Sequence, residues 1–397
     1  MAGLYIHIPF CRSRCIYCGF YSTTLLALRP AYVEALCREL EMRAGEAARQ
    51  TIGTIYLGGG TPSQLSADQL ASIFDCVYKY YKVEPDAEIT IECNPDDIAP
   101  LSSPSQISPS TGGGGGRLLS SLLSPLSSLP INRISMGAQT FCDSRLCLLH
   151  RRHTASQVAE AMQALRAHGF HNISIDLMFG FPQETLQQWA DDIDQALALN
   201  PEHISAYSLT YEEGTPLQRL SQSDPRYAPI SDELSLAMYH LLIDRLTRAG
   251  YEHYEISNFA RPGFHSRHNS SYWQGIPYIG IGAAAHSYDI DTRSWNVSDV
   301  ERYIHSITHH QSPIEQREVL TTSEKYDDMV MTALRTSQGL SINDIARRFG
   351  TDYQHHLLSN AQPHIDRHLL TVDNDHLRIT RDGLFLSDAI ISDLMYV

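Results

Sequence analysis

Three cysteines crowd into eight residues near the start of the chain, in Cys11-Arg-Ser-Arg-Cys15-Ile-Tyr-Cys18. Such a C-x3-C-x2-C loop can place one thiolate on each of three irons of a cubane cluster and leave the fourth iron open for chemistry. A zinc ion completed by His7 is the alternative, although closed zinc sites favour four ligands drawn from two separated pairs. The other five cysteines, Cys37, Cys76, Cys93, Cys142 and Cys147, fall within helical or strand patterns and read as small hydrophobes. Further polar candidates follow in order. They are the turn Gly58-Gly59-Gly60-Thr61-Pro62, Glu92 in IECNP, Gln139 in SMGAQTF, Arg151 in LLHRRH and Asp176 in SIDLMFGFP. Glycine lets a backbone approach a ligand closely, and an arginine suits a carboxylate as carboxylates suit amino or hydroxyl groups.

Those residues sit at the ends of short β-like runs, at 3–9, 53–58, 87–93, 132–137, 172–178 and 203–209. Between the runs, 30–47, 66–81, 154–168 and 184–199 place apolar residues at three-to-four spacing, as amphipathic helices do. Strand and helix alternate for six units, which predicts parallel strands joined by right-handed crossovers, in a doubly wound sheet or a full or partial barrel. The segment 99–130 breaks the pattern, with ten serines, the run Gly112 to Gly116 and one charge, Arg117. Its first part, 100–116, reads as a low-complexity insertion too poor in apolar residues to order itself. In 117–129, Leu118, Leu119, Leu122, Leu123, Leu126 and Leu129 keep a helical period and supply the expected crossover helix. A long amphipathic helix over 231–250 and a β-like stretch at 251–259 come next. From about 318 the tail reads as helices, then GLSINDIARRFG, then a hairpin in LLTVDNDHLRIT, in the manner of a winged helix-turn-helix.

At 397 residues the chain is long enough for more than one core. Its formal charge of −15 argues against a phosphate-backbone partner. The winged tail is acidic too, with 7 Lys+Arg against 12 Asp+Glu over 318–397, so a structural or protein-docking role is expected of it in place of DNA binding. MAGLYIHIPF carries no secretory pattern and no run of about 18 apolar residues occurs, so the expected location is the cytoplasm.

The cysteine loop after the first strand of a βα-repeat chain resembles the signature of the radical S-adenosylmethionine (SAM) family. The likeness continues through YLGGGTPSQL, NRISMGAQTF, IDLMFGFPQET and YEISNFA to the winged tail. It implies a partial (β/α)6 TIM-type barrel with a C-terminal α+β, winged-helix-like domain. The implied division is a barrel over 1–225, an extension over 226–315 and the winged domain over 316–397. It also implies a [4Fe–4S] cluster on Cys11, Cys15 and Cys18, with SAM chelating the open iron through its amino and carboxylate groups. In the family, electron transfer from the reduced cluster cleaves the C5′–S bond to give methionine and a 5′-deoxyadenosyl radical. By their place in the family's motifs, Gly58, Gly59, Gly60 and Thr61 are expected at the SAM amino group and Arg151 at its carboxylate. Glu92 and Asp176 are expected at its amino or ribose groups, Gln139 at a further SAM contact, Tyr17 near adenine, and Tyr5 just ahead of the loop.

Within the family the chain is most similar to the branch of oxygen-independent coproporphyrinogen III oxidases and haem chaperones. The oxidases carry C-x3-C-x2-C-x-C and an N-terminal extension, whereas here Phe20 takes the place of the fourth cysteine and ten residues precede Cys11. Both departures favour the chaperones. So does Arg267-His268-Asn269-Ser270-Ser271-Tyr272-Trp273, which resembles the HNxxYW motif associated with haem in those proteins. On that resemblance His268, Asn269, Tyr272 and Trp273 are candidate haem contacts, with His265 and His286 as reserve ligands. The expected function is a haem chaperone with a cluster and SAM, delivering haem to respiratory haemoproteins, the membrane being one place of delivery. An oxidase is the alternative, and a zinc-stabilised binding protein a remote one. Gly280-Ile-Gly282-Ala-Ala-Ala285 imitates a dinucleotide fingerprint, but lies outside any βαβ unit with a following acid.

Overall fold

The computed structural model describes residues 1–47, 50–99 and 123–396. The insertion expected at 100–116 and the first residues of the helix expected at 117–129 lie outside them; the described part of that helix is Leu123–Ser128, with Leu123 and Leu126 buried.

Six strands, β1 (Ala2–Ile8), β2 (Ile52–Gly59), β3 (Val83–Cys93), β4 (Arg133–Gln139), β5 (Ile173–Phe179) and β6 (His203–Ser208), lie side by side in chain order, each parallel to the next. The residues alternate along each strand with period two. Leu4, Ile6 and Ile8, Ile55 and Leu57, Ile89 and Ile91, and Ile134 and Met136 join the main core on one face. The alternate positions are polar: Tyr5 and His7, Thr54 and Tyr56, Thr90 and Glu92, Arg133 and Ser135. Sequential order with right-handed crossovers puts the covering helices on the apolar face, so the sheet curls around its polar face as a barrel does.

Those helices are α1 (Arg29–Met42), α2 (Ala67–Tyr80), α3 (Pro95–Ile98), α4 (Leu123–Ser128), α5 (Asp143–Leu148), α6 (Ala155–Ala167) and α7 (Leu186–Ala198). Three of them start on capping boxes, Ser66 with Gln69, Thr154 with Gln157 and Thr185 with Gln188, in which each side chain satisfies a backbone N–H the helix leaves open.

The barrel stays open because other strands occupy both edges. After α8 (Pro216–Ser223) and α9 (Asp232–Arg248), β7 (Glu252–Glu255) and β8 (Asn258–Ala260) extend the β6 edge, β8 pairing antiparallel with β6 and β7 with β8. After α10 (Arg267–Trp273), β9 (Tyr278–Ile281) adds parallel to β1, and β10 (His286–Tyr288), β11 (Thr292–Asn296) and, past α11 (Val300–Thr308), β12 (Ile314–Val319) extend that edge. The expected division at 316 therefore falls inside β12, and the 226–315 stretch is built into the barrel's sheet on both sides. One core runs from Ala2 to Ile307.

A second core is formed by residues such as Tyr326, Val330, Ile345, Leu357, Leu377 and Leu394. It holds α12 (Thr322–Leu334), α13 (Ile342–Phe349), α14 (Thr351–Asp366) and α15 (Ser387–Leu394) around the sheet of β13 (Leu340–Ser341), β14 (Leu370–Asp373) and β15 (His376–Ile379). The hairpin β14–β15 is the wing expected from LLTVDNDHLRIT. Among the described residues no helix is long and apolar enough to cross a membrane.

Candidate functional site

A cavity of about 740 Å³ opens at the carboxyl ends of β1 to β6. That is the face on which parallel βα barrels gather functional groups, and the volume falls in the range of small-molecule sites. Cys11, Cys15, Cys18 and Tyr17 line it from the loop after β1, and Gly59, Gly60 and Thr61 from the turn after β2. Glu92, Gln139, Arg151 and Asp176 complete the ring from β3, β4, the α5–α6 connection and β5.

The cysteine loop is pinned at both ends. Phe10 bridges Thr23, and the Cys11 N–H donates to the Thr23 carbonyl at 2.9 Å. Ile16 is buried in a small apolar cluster with Leu149, Phe181 and Leu217, and its N–H donates to the Leu149 carbonyl. Thr61 Oγ1 lies 3.5 Å from Cys11 Sγ, and Arg151 Nη1 donates to Cys15 Sγ at 3.7 Å. Burial pushes the Cys11 and Cys18 thiols up, each also raised by neighbouring cysteines, so loading metal here must release protons. The three thiols thus share one wall and feel one another. Yet no three His, Cys, Asp or Glu among the described residues stand close enough to hold a single metal ion. His7 is no zinc ligand: its Nδ1 bonds the Tyr5 hydroxyl at 3.0 Å and its Nε2 the Tyr21 carbonyl at 3.1 Å.

The glycines are dictated by crowding. Gly59 has φ +105°, and a Cβ there would meet the His7 ring at 2.3 Å; one on Gly60 would meet the Pro9 backbone at 2.6 Å. The N–H groups of this turn are already engaged: Gly59 donates to Glu92, Gly60 to the Ile8 carbonyl and Thr61 to the Phe10 carbonyl. What the turn has left for a ligand is acceptors, which suits an ammonium group. Gly58 does not line the cavity; a Cβ there would come within 2.6 Å of the Tyr56 ring and 3.0 Å of the Glu92 carboxyl, so its part is to make room for that pair.

Glu92 accepts from the Tyr56 hydroxyl at 2.7 Å and from Gly59 at 3.0 Å. Burial pushes its carboxyl up to about 7, opposed by the Tyr56 hydrogen bond. Asp176, across the cavity, is also raised by burial, against the hydrogen bonds of Ser205 and Ser135. Arg151 Nη2 donates to Asn94 Oδ1 and to the Gly137 carbonyl, both at 2.6 Å. Burial opposes its charge, but Tyr17 and Cys15 more than offset that. The Arg151 guanidinium, held by neutral partners and a thiol, is free to pair a carboxylate. Gln139 ends β4 in the left-handed region, at φ +67°, where the β4–β5 register shifts. Such a conformation costs energy in a glutamine and is kept where it aims a side chain.

The structure does not bring every expected residue to this cavity. Tyr5 lies within β1 below it, bonded to His7 and stacked on Tyr56 with ring centres 6.2 Å apart. Of the 267–273 motif only Asn269 reaches it. His268 is 1% exposed, with Nδ1 bonded to Thr54 Oγ1 and Nε2 to the Tyr272 hydroxyl, both at 2.8 Å. Its ring stacks on Tyr56 at 5.0 Å, and burial, helped by Arg133, pulls its pKa down to about 3. His268 is packed here with both ring nitrogens engaged. Trp273 packs under the Arg335 guanidinium at 5.4 Å. His265 pairs with Glu252 at 2.7 Å; His286 is exposed and stacks on Trp295 at 5.6 Å. Sequence reasoning missed Tyr56, Asn94 and Arg133, all on the cavity wall. Their only signal was inward register on a strand or position at its end.

Comparison with known proteins follows the same lines. Residues 5–196 match the radical SAM superfamily and residues 320–386 the HemN C-terminal domain. The Heme chaperone HemW of Bacillus subtilis is 32% identical over 393 residues, covering 98% of each chain. That of Escherichia coli is 36% identical over 288 residues, 72% of this chain and 69% of the relative. The solved structure of E. coli coproporphyrinogen III oxidase (HemN), a radical SAM enzyme, superposes with a TM-score of 0.83 at 23% identity, over 100% of this chain and 90% of that one.

Proposed function

We propose that this chain, which belongs to the radical SAM superfamily and within it to the family of the HemW proteins it matches along its length, is a haem chaperone. It would hold a [4Fe–4S] cluster on Cys11, Cys15 and Cys18, bind SAM beside it, and pass haem to respiratory haemoproteins, working in the cytoplasm. The observation that carries the reading is the meeting of three thiols of one loop with an arginine free of acid partners and two buried carboxylates in one cavity, in a chain alike end to end to a haem chaperone. When bound, the cluster and SAM supply one-electron chemistry at the sulfonium.

The chain's own residues define the pocket's part. Arg151 takes the SAM carboxylate in a charge-assisted pair. The acceptors left in the Gly59–Thr61 turn, with Glu92, take the amino group; a nearby ammonium favours the ionised form of Glu92, whose pKa of about 7 leaves it poised at neutral pH. Asp176 takes the ribose and Tyr17 closes the adenine side. Phe20, 71% exposed at the cavity rim, stands where an oxidase would have its fourth cysteine and gives that rim an apolar face. For haem, His286 is the better ligand, because its exposed imidazole beside Trp295 needs no rearrangement, whereas His268 would have to leave two hydrogen bonds and its stack on Tyr56.

The test is one sample, reconstituted anaerobically, titrated with haem and assayed for coproporphyrinogen III conversion. Haem should bind and no carbon dioxide should be released; release would replace the chaperone reading with the oxidase one. His286→Ala should weaken haem or shift its Soret band, while His268→Phe should not; the opposite pattern would return haem to the 268–273 helix.

A further inference from the structure

Arg133 stands inside the barrel without a hydrogen-bond or ion-pair partner among the described residues. Its side chain is 1% exposed, and its Nε is buried without a partner. Among the described residues its guanidinium forms no ion pair and no hydrogen bond; the field of Asp176 reaches it from beyond pairing distance. A guanidinium stays charged at every physiological pH, and a buried charge without a partner is among the most costly groups a fold can carry. Arg133 opens β4, whereas Gln139 ends it, so the arginine lies at the deep end of the cavity that both line. Thr90, its register partner on β3, has a buried hydroxyl that is also without a partner.

A second unpartnered group lines the same cavity. Asn269 lines the cavity, and its side-chain amide makes no hydrogen bond among the described residues. Its position is nonetheless fixed. The N–H groups of Arg267 and His268 donate to the Glu88 carboxylate at 3.0 and 2.9 Å, Asn269's own N–H donates to Ser266 Oγ, and His268 is tied to Thr54. A rigidly held amide and an unanswered guanidinium facing one cavity are the donors of an oxyanion site, and buried polar groups without partners ask for a ligand.

We propose that Arg133 and Asn269 form a second subsite at the cavity floor, for the carboxylate of a small ligand other than SAM. That it is a second subsite rests on the assignment of the SAM carboxylate to Arg151. A carboxylate fits better than a phosphate: it brings one negative charge to one guanidinium, while a phosphate dianion would face Glu92 and Asp176 in the same cavity with too little positive charge.

The test uses the full chain, reconstituted anaerobically and saturated with SAM. The probe is butyrate, with butyramide as its uncharged counterpart and inorganic phosphate as the rival anion, each read by its displacement of bound carbon-13-labelled butyrate in saturation-transfer NMR. Butyrate should bind, and butyramide and phosphate should not compete. Arg133→Gln should weaken butyrate roughly tenfold or more, and Asn269→Ala about threefold, with SAM affinity unchanged in both. Ligand-free Arg133→Gln should also melt no lower than wild type, since it gives up an unpaired buried charge; an arginine serving only structure would lower the melting temperature on removal. Absence of butyrate binding, binding that survives Arg133→Gln, or equal competition by butyramide or phosphate would overturn the subsite. SAM affinity lost in Arg133→Gln but kept in Arg151→Ala would instead overturn the assignment of SAM to Arg151.

Discussion

His268 gives a sharp test of how the 267–273 helix works. Replacing it by Phe keeps a ring against Tyr56 but removes both nitrogens, leaving the Thr54 and Tyr272 hydroxyls without their partner. Each orphaned buried group costs about 1–3 kcal/mol, so the variant should be roughly 2–6 kcal/mol less stable at pH 8. The gap should also depend on pH. The folded-state pKa of His268 is about 3 against an ordinary value of 6.5, first because the ring is buried and second because Arg133 is near. Below pH 6.5 the unfolded chain takes up a proton that the folded chain refuses. The wild type therefore holds this stability fully above pH 6.5 and loses it as pH falls toward 3. The loss is about 1.4 kcal/mol per pH unit, or about 3 kcal/mol between pH 6.5 and 4.5. Phe cannot titrate, so urea unfolding of the two ligand-free proteins should give a wide gap at pH 8 that narrows by about that amount at pH 4.5. A gap that stays constant over this range would mean that the imidazole meets solvent, and would refute its description as a closed packing residue.

The cysteines divide cleanly: Cys11→Ala, Cys15→Ala or Cys18→Ala should abolish iron loading of about four per chain and its visible absorption, while Cys37→Ala and Cys142→Ala should leave both unchanged. Arg151→Ala should lower SAM affinity roughly 30- to 1000-fold with the cluster intact, measured by equilibrium dialysis; unchanged affinity would remove it from the site. Arg145, 11% exposed, pairs with the buried Glu184 and Asp192, so Arg145→Ala should lower stability in urea by about 3–5 kcal/mol, because it strands two carboxylates. A loss below about 1 kcal/mol would show that water reaches them.

The barrel was readable because its strands alternate. Ile134, Met136 and Ala138 mark one face of β4, and the strand expected at 132–137 is found at Arg133–Gln139. β3 starts earlier than expected, at Val83, because Glu84, Pro85 and Asp86 disguise its first residues as a turn. Glu92 and Asp176, acids on the inward faces of β3 and β5, were readable as cavity-lining residues because a barrel gathers such positions around one opening. What stayed hidden was pairing. Nothing local in NRISMG tells that no acid answers Arg133. Nothing in HNSSYW tells that Thr54 and Glu88, about two hundred residues earlier, occupy His268 from ring and backbone. A residue type announces what a side chain can bond; only the fold decides what it does bond, which is why the same histidine reads as a ligand in the sequence and as an anchor in the structure.

That distinction also explains why the C-terminal domain belongs with a cavity to which it contributes no lining residue. α10 has seven residues, too few to hold its shape alone. The barrel fastens one side of it through Glu88 and Thr54. Next to it, Trp273 packs against Arg335 at the end of α12, whose carbonyl accepts from the Ile256 N–H at 3.0 Å, while the Ser337 N–H donates to the Tyr254 carbonyl at 3.0 Å. Glu255 and Thr336 form a bridge between the two units. The helix that carries Asn269 to the cavity floor is thus clamped between sheet and winged domain. The winged domain thereby holds the helix under the cavity in place from outside the barrel.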